Sequence, residues 1–276
     1  MRLGAAGAVT LGLAACGPDK PTASGSTGAP AGPTAAPPSP SPSASPSPTP
    51  AAASALKQQK KAIHTLHEYV EFVPGAQPFP SNAIALTIDD GPTPAWTPKV
   101  LALLEKLDIK ATFCHIGVQD KGHKALAKSV VSEGHHLANH TYSHPLSLPK
   151  LNAATIHKEI NDAQASIVDA TGFTPHLFRS PGGAWSAEVF KQAAANGMAA
   201  IDWEIDPKDW SRPGTELIRL RMLKAKPGDI ILCHDGGGDR SQTYDALKAV
   251  LPVLKSKGYQ FVTLPAPPAT GDNTTP

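Results

Sequence analysis

Between Thr97 and Leu264 the chain returns repeatedly to one unit: an amphipathic helical stretch, a turn usually marked by glycine, and a short apolar run that ends in polar residues. The helical periodicity falls at 97–107, 123–133, 155–170, 187–196, 217–223 and 244–257. The apolar runs that follow lie at 110–116, 136–139, around Leu177 and Phe178, and at 198–201, 229–233 and 260–264. Gly134, Gly172, Gly197, Gly228 and Gly258 punctuate these units. Strands separated by helices pair in parallel, because each helix carries the chain back to the same end of the sheet. With the apolar run that starts at Ile84, this makes about seven strands in roughly 185 residues, short of the ~250 that a full eight-stranded barrel takes. The expected fold is α/β, a distorted or incomplete (β/α) barrel with about seven parallel strands; a doubly wound open sheet is the alternative.

That topology predicts where chemistry belongs. Parallel α/β folds place their sites at the carboxyl ends of the strands, where loops vary without disturbing the core. Asp89 and Asp90 leave the first strand, His140 and His144 the third, and Arg179 the fourth. Asp202, Asp206 and Asp209 follow the fifth, and His234 and Asp235 leave the sixth. The stretch Ile84-Ala-Leu-Thr-Ile-Asp-Asp-Gly-Pro92 is the sharpest of these exits, a buried strand that ends in two adjacent carboxylates. Adjacent side chains of an extended segment point to opposite sides. One carboxylate is therefore expected on a metal and its neighbour toward substrate or water. Taken alone, Asp-Asp-Gly-Pro is equally the composition of a turn.

His140-Thr-Tyr-Ser-His144 sets two imidazoles at i and i+4, which one helical turn would aim the same way, with Pro145 ending the turn. Two histidines plus Asp90 leave a coordination position open, the arrangement of a catalytic rather than a structural site. His64, His67, His123 and His157 read as exposed helix residues, His135 and His136 flank a strand, and His176 begins one. Cys114 and Cys233 are too few for a disulfide scaffold and stand in no CxxC spacing. They read as core thiols, a single disulfide being the lesser alternative.

The first quarter of the chain contributes little to a core. Met1-Arg-Leu3 leads into a run of Ala, Gly, Val and Leu that closes at Leu13-Ala-Ala-Cys16, the pattern of a secretory signal and too short for a transmembrane helix. Small residues before Cys16 also resemble a bacterial lipobox, in which the signal is cut before the cysteine and the cysteine carries the lipid. From Pro18 to Ala55 there is no aromatic, Leu, Ile or Val to bury. The expected organisation is a lipoprotein-type signal at 1–16, a disordered Pro/Ser/Ala-rich linker at 17–55, a helical lead-in at 56–80, the main folded domain at 81–265 and a disordered tail at 266–276. Apolar residues at 56, 63, 66 and 70 place a short helix over 56–72 in the lead-in. The linker would reach up to roughly 100 Å from an anchored Cys16. The mature protein is thus expected outside the cytoplasmic membrane, lipid-anchored on its outer face, with plain secretion as the alternative. The formal charge of +2 and the absence of a Lys/Arg run interleaved with aromatics give no argument for a nucleic-acid partner. A monomer is expected.

Five segments then carry a resemblance. Thr87-Ile-Asp-Asp-Gly91, His140-Thr-Tyr-Ser-His144, Phe178-Arg-Ser-Pro-Gly-Gly183, Asp209-Trp210 and Leu232-Cys-His234 occur in the order and approximate spacing of the five motifs of the polysaccharide deacetylase family. This is the NodB-homology domain of carbohydrate esterase family four; the likeness covers about 82–264, with Asn139 and Ala111-Thr-Phe113 also similar. The resemblance implies a distorted (β/α) barrel that uses a divalent metal, usually Zn2+ with Co2+, Mn2+ or Ni2+ as alternatives, to remove acetyl groups from sugar polymers. By position, Asp90, His140 and His144 would bind the metal, which polarises the acetyl carbonyl and lowers the pKa of a water. Asp89 would be the general base, held by Arg179, and His234 the general acid, with Asp209 orienting the network. The Gly182 N–H would serve the oxyanion, and Trp210 and Leu232 would wall the acetyl pocket.

Two positions depart from the family. Ile88 stands where its first motif usually has Phe, and Gly182 stands where many relatives carry an aromatic. The second departure removes a side wall of the substrate groove, and Trp185, Tyr142 or Trp96 are the candidates to replace it. Acetylated peptidoglycan, chitin-like oligomers and acetyl-xylan all remain open as substrates. A catalytically silent carbohydrate-binding wall lipoprotein on the same fold is the competing function, and a different metal-dependent amide hydrolase a third.

Overall fold

The computed structural model describes residues 59–266 together with Leu56. The expected signal, the linker and residues 267–276 lie outside the described residues. The lead-in helix is shorter than expected, α1 spanning Leu66–Phe72. Ile63, assigned to it from periodicity, is instead fully buried and bridges Ile201 in parallel, while Thr65 caps the helix by accepting from the Glu68 N–H. A buried β-branched residue pairing with a strand outweighed a short helical pattern.

The sheet strands are β1 (Ala83–Asp89), β2 (Thr112–His115), β3 (His136–Asn139), β4 (Leu177–Phe178), β5 (Ala199–Ala200), β6 (Ile230–His234) and β7 (Gln260–Val262). They run in the order β5-β4-β3-β2-β1-β6, with β7 also on β1, and every pairing is parallel. β6 pairs along β1 from Ala85 to Asp89, whereas β7 takes Ala83–Ala85 and β2 takes Thr87–Asp89. Single bridges at Ile63–Ile201 and Ile205–Ile231 stand between β5 and β6, where a complete barrel would have a further strand. The result is a curled, incomplete (β/α) barrel.

The helices around it are α2 (Thr97–Lys106), α3 (Gly117–Gly122), α4 (Lys124–Ser132), α5 (Ala153–Thr171), α6 (Ala187–Ala195), α7 (Thr215–Met222) and α8 (Ser241–Ser256). Among the described residues, none is long and apolar enough to cross a membrane. Side-chain size sorts the two faces of β1. Ile84, Leu86 and Ile88 pack with Val100, Leu104, Leu247 and Leu251 of the helices, while Ala83 and Ala85 join Cys114, Ala138, Ala199 and Ile230 in a second cluster. The small β1 residues on that concave face leave room for larger ones in the same cluster, Ile63, Tyr69 and Ile230 among them. Ile88 fills its place in the helix-side core. The parity that buries Ala83 and Ala85 on that concave side carries through Thr87 to Asp89, aiming the last side chain of β1 into the top of the barrel.

Cys114 and Cys233 are free and buried, their thiols pushed well above the usual range by desolvation. His135 and His176 are also core groups: His135 Nδ1 accepts from the Ala111 N–H, and His176 lies 3.0 Å from the Tyr69 hydroxyl. His64 precedes α1 rather than lying in it and pairs through Nδ1 with the Trp203 carbonyl at 2.7 Å.

Candidate active site

Asp89 ends β1 buried beside an equally buried Arg179, which leaves β4. The guanidinium donates to Asp89 Oδ1 at 2.7 Å, to Thr87 Oγ1 at 2.9 Å and to the Asp202 carbonyl at 2.7 Å. Desolvation pushes the Asp89 carboxyl up, but the charge of Arg179, helped by His140 and His234, prevails and holds it below the usual carboxylate range. Asp89 is therefore an ionised acceptor with one oxygen fixed and its other oxygen 3.7 Å from His140 Nε2.

Asp90 does not point away from Asp89, as alternation along an extended strand predicts. Its backbone is left-handed, φ 76°, which ends the strand geometry and turns its side chain back to the same rim. Oδ1 lies 3.6 Å from His140 Nε2 and 3.3 Å from His144 Nε2. Glycine permits this approach: a Cβ at Gly236, in the loop after β6, would sit 2.1 Å from the Asp90 carbonyl oxygen.

The segment from His140 to His144 is a loop rather than a helical turn, with Thr141 at φ 68° and His144 at φ 60°. Side chains from α5 and β3 define it. Thr141 N–H donates to Asn139 Oδ1, the His144 N–H to Thr141 Oγ1, and the Ser143 N–H and hydroxyl to Glu159 of α5. Two left-handed residues thereby bring the rings to 4.9 Å between centroids without a helix. His140 Nδ1 faces the Arg179 carbonyl at 2.8 Å, which can only accept, so that nitrogen carries a proton and Nε2 is turned toward the two carboxylates.

Asp90, His140 and His144 each offer one ligand atom, all within 4.8 Å of one another, and Asp90 Oδ1 is buried with no hydrogen-bond partner. A fixed imidazole tautomer, an unpartnered buried carboxylate oxygen and a second imidazole that is 27% exposed fit a divalent cation with a face left open to solvent. The donor set of two nitrogens and one oxygen suits Zn2+ or a neighbouring transition metal.

On the other side of Asp89, His234 ends β6. Its Nδ1 faces Asp209 Oδ1 at 2.8 Å, its N–H donates to Asp209 Oδ2 at 2.9 Å, and Thr243 of α8 donates to the same oxygen. Burial opposes charge on His234, but Asp209, Asp90 and Asp89 raise its pKa to about 9. At neutral pH it is a cation whose Nε2–H is available. Leu232 is buried on the same face of β6, and Trp210 projects 55% exposed from the short turn Asp209–Ser211. Gly182 lies in the turn Pro181–Gly183 with φ 64°.

Of the strand-exit residues, Asp206 alone plays a local part, accepting from the Lys208 N–H in a turn. Asp202 accepts from Trp185 Nε1 and Asp235 from Thr97, and desolvation raises each carboxyl to about 6. Sequence reasoning missed Thr87, legible afterwards from its shared parity with Asp89. It also missed Glu159, Thr243 and Arg240, which carry no local signal. Arg240 is buried, donates to the Gly236 and Gly237 carbonyls, and approaches Asp90 Oδ2 to 3.9 Å.

Residues 76–201 match the family described as Polysaccharide deacetylase. The chain is 44% identical over 184 residues to a peptidoglycan-N-acetylglucosamine deacetylase of Bacillus cereus, covering 66% of this chain and 85% of that protein. It is 38% identical over 198 residues to a chitooligosaccharide deacetylase of Bradyrhizobium, covering 67% and 90%. The fold is similar to the crystal structure of the Bc1960 peptidoglycan N-acetylglucosamine deacetylase in complex with an N-oxidanyl-benzamide. That likeness has a TM-score of 0.65 and 34% identity, and covers 69% of this chain and 89% of that one.

Proposed function

This chain belongs to the polysaccharide deacetylase family, and from that membership we propose a divalent-metal-dependent hydrolase that removes N-acetyl, or O-acetyl, groups from an extracellular glycan. The observation that carries the reading is the division at the end of β1: Asp89 is paired with buried Arg179, and Asp90 presents an unpartnered oxygen to two imidazoles.

Asp90, His140 and His144 would hold the ion, most simply Zn2+. When bound, it supplies Lewis acidity to the acetyl carbonyl and acidifies water. Asp89 takes the proton of the attacking water, its free oxygen poised while Arg179 holds the other. The Gly182 N–H donates to the oxyanion as it forms. His234 gives a proton to the departing sugar nitrogen, an amine that leaves poorly without one, and Asp209 fixes the ring that delivers it. Leu232 and Trp210 would border the acetyl methyl.

The test is acetate release by metal-replete protein from acetylated peptidoglycan, chito-oligomers and acetyl-xylan. Release from at least one is expected; silence on all would favour a carbohydrate-binding protein on this fold. Asp89→Asn is expected to lower turnover by about 10²–10⁴-fold with the metal retained, as for loss of a general base. His140→Ala is expected to lose metal. Equal metal loss in both would remove the proposed split between base and ligand. Anchoring at Cys16 on the outer face of the membrane is part of the same proposal, motivated by Leu13-Ala-Ala-Cys16. Cys16→Ser should move the protein from the membrane fraction to the soluble one, and unchanged fractionation would remove the anchor.

A further inference from the structure

The backbone N–H assigned to the oxyanion belongs to Gly182, which offers no side chain to wall the groove beside it. Its φ is 64°, a conformation that strains other residues. The three rings that would compensate are engaged elsewhere. Trp185 stacks on Phe190 at 4.7 Å and donates to Asp202. Trp96 packs at Tyr244 with Lys99 Nζ 4.2 Å from its ring centre, and the Tyr142 ring lies over Gly117. The space beside Gly182 is occupied by Leu146. A Cβ at 182 would lie 3.5 Å from Leu146 Cδ2 and within 4 Å of no other atom outside its chain neighbours.

Leu146 is 69% exposed, the most exposed large apolar side chain among the described residues. Its backbone is nevertheless pinned. Two residues earlier stands His144, Pro145 restricts the chain between them, and two residues later Leu148 is fully buried with Ile156, Ile160 and Phe178. The Leu148 N–H donates to the Pro145 carbonyl at 3.0 Å, closing the turn. An apolar side chain carried on a backbone fixed at both sides needs no rearrangement of its loop to be covered beside the site.

We propose that Leu146 determines specificity. Its aliphatic side chain forms the groove wall that Gly182 lacks and packs on the C–H face of the pyranose adjoining the reacting acetamido sugar. This rests on the deacetylase reading and adds to it the residue that senses the neighbouring sugar. A branched aliphatic group contributes apolar area without the flat stacking surface of a ring. It therefore favours substrates with more than one sugar unit while demanding less of the ring's orientation.

The experiment measures kcat and KM of the metal-replete wild type, Leu146→Ser and Leu146→Met on N-acetylglucosamine oligomers of one to five units and on 4-nitrophenyl acetate. Leu146→Ser is expected to raise KM for oligomers of three or more units by about 5–10-fold, the loss of one partly covered Leu contact. kcat should change less than KM, and the loss on oligomers should exceed that on the nitrophenyl ester. Leu146→Met should restore KM to within about 2-fold, since it keeps the apolar volume. A KM unaffected by serine, or raised equally on oligomer and ester, overturns the assignment. Calorimetric titration of the same proteins with the pentamer reads the contact without turnover. A wild type that binds but releases no acetate would sink the enzymatic reading, and the serine variant's affinity would still decide this one.

Discussion

Arg179 shows how much the meaning of one side chain depends on what surrounds it. As a residue at a strand exit it is equally an exposed ion pair worth at most ~1 kcal/mol. Fully buried against Asp89 at 2.7 Å, it becomes a charge whose removal would leave its partner stranded, a change that typically costs about 3–5 kcal/mol. His234 is a second case. Its proton is held to about pH 9 chiefly against desolvation by Asp209, a buried acid contributed by a different loop. The falling alkaline limb of the pH–rate profile is therefore expected to follow His234. Asp209→Asn should bring that limb down by more than ~1 pH unit, toward the ordinary histidine value of about 6.5. A limb that stays in place would mean that Asp209 does not set it. The folded-state pKa is the higher one, so in chelator-treated protein this pair's contribution to stability is fully present below about pH 6.5 and is lost as pH rises through about 9.

At the scale of elements, the long helices follow the periodicity of the sequence, whereas the short connecting segments depart from it. The expected helix at 155–170 is α5, Ala153–Thr171, closed by left-handed Gly172, and the strand at 136–139 is β3. The i, i+4 spacing of His140 and His144 predicts one helical turn, but the segment is a loop shaped by Asn139, Thr141 and Glu159. Contacts to the Asn139 side chain of β3 and to Glu159 of α5 distinguish the two conformations, and i, i+4 spacing carries no information about them. The loop after β6 is another element defined from outside, since Gly236 leaves room for the Asp90 backbone. Gly236→Ala places a Cβ against a carbonyl that no rotamer change can relieve. A stability loss of about 1–3 kcal/mol is expected, together with weaker metal binding. Gly122→Ala, with nothing within 4 Å of the added methyl, is the control expected to stay near neutral or gain slightly. Chemical denaturation of both variants checks this; equal effects would show that crowding at Asp90 is not the cause.

For the molecule as a whole, the Asp90, His140 and His144 set joins the exits of β1 and β3, so an ion held there ties together segments separated by about fifty residues of chain. Binding to the folded state alone stabilises it by RT ln(1 + [L]/Kd), about 2.7 kcal/mol at a hundredfold excess over Kd. Zn2+ should therefore raise the melting temperature of chelator-treated protein, and Asp90→Asn or His140→Ala should abolish the rise; a rise that persists in both variants would place the ion elsewhere. The sequence by itself determined the parallel α/β organisation and pointed to Asp89, Asp90, His140, His144, Arg179, Asp209 and His234, the groups that the fold brings to one rim. Each of these follows from local periodicity, from glycine punctuation, or from five spaced motifs. The tertiary structure alone decided the left-handed turn at Asp90, the loop that carries the two histidines, the burial of Arg179, the approach of Arg240 and the seat of Leu146 beside Gly182. The physical reason is common to them: each is fixed by contacts between residues distant in sequence, where packing and desolvation outweigh the preferences of the chain's own neighbours.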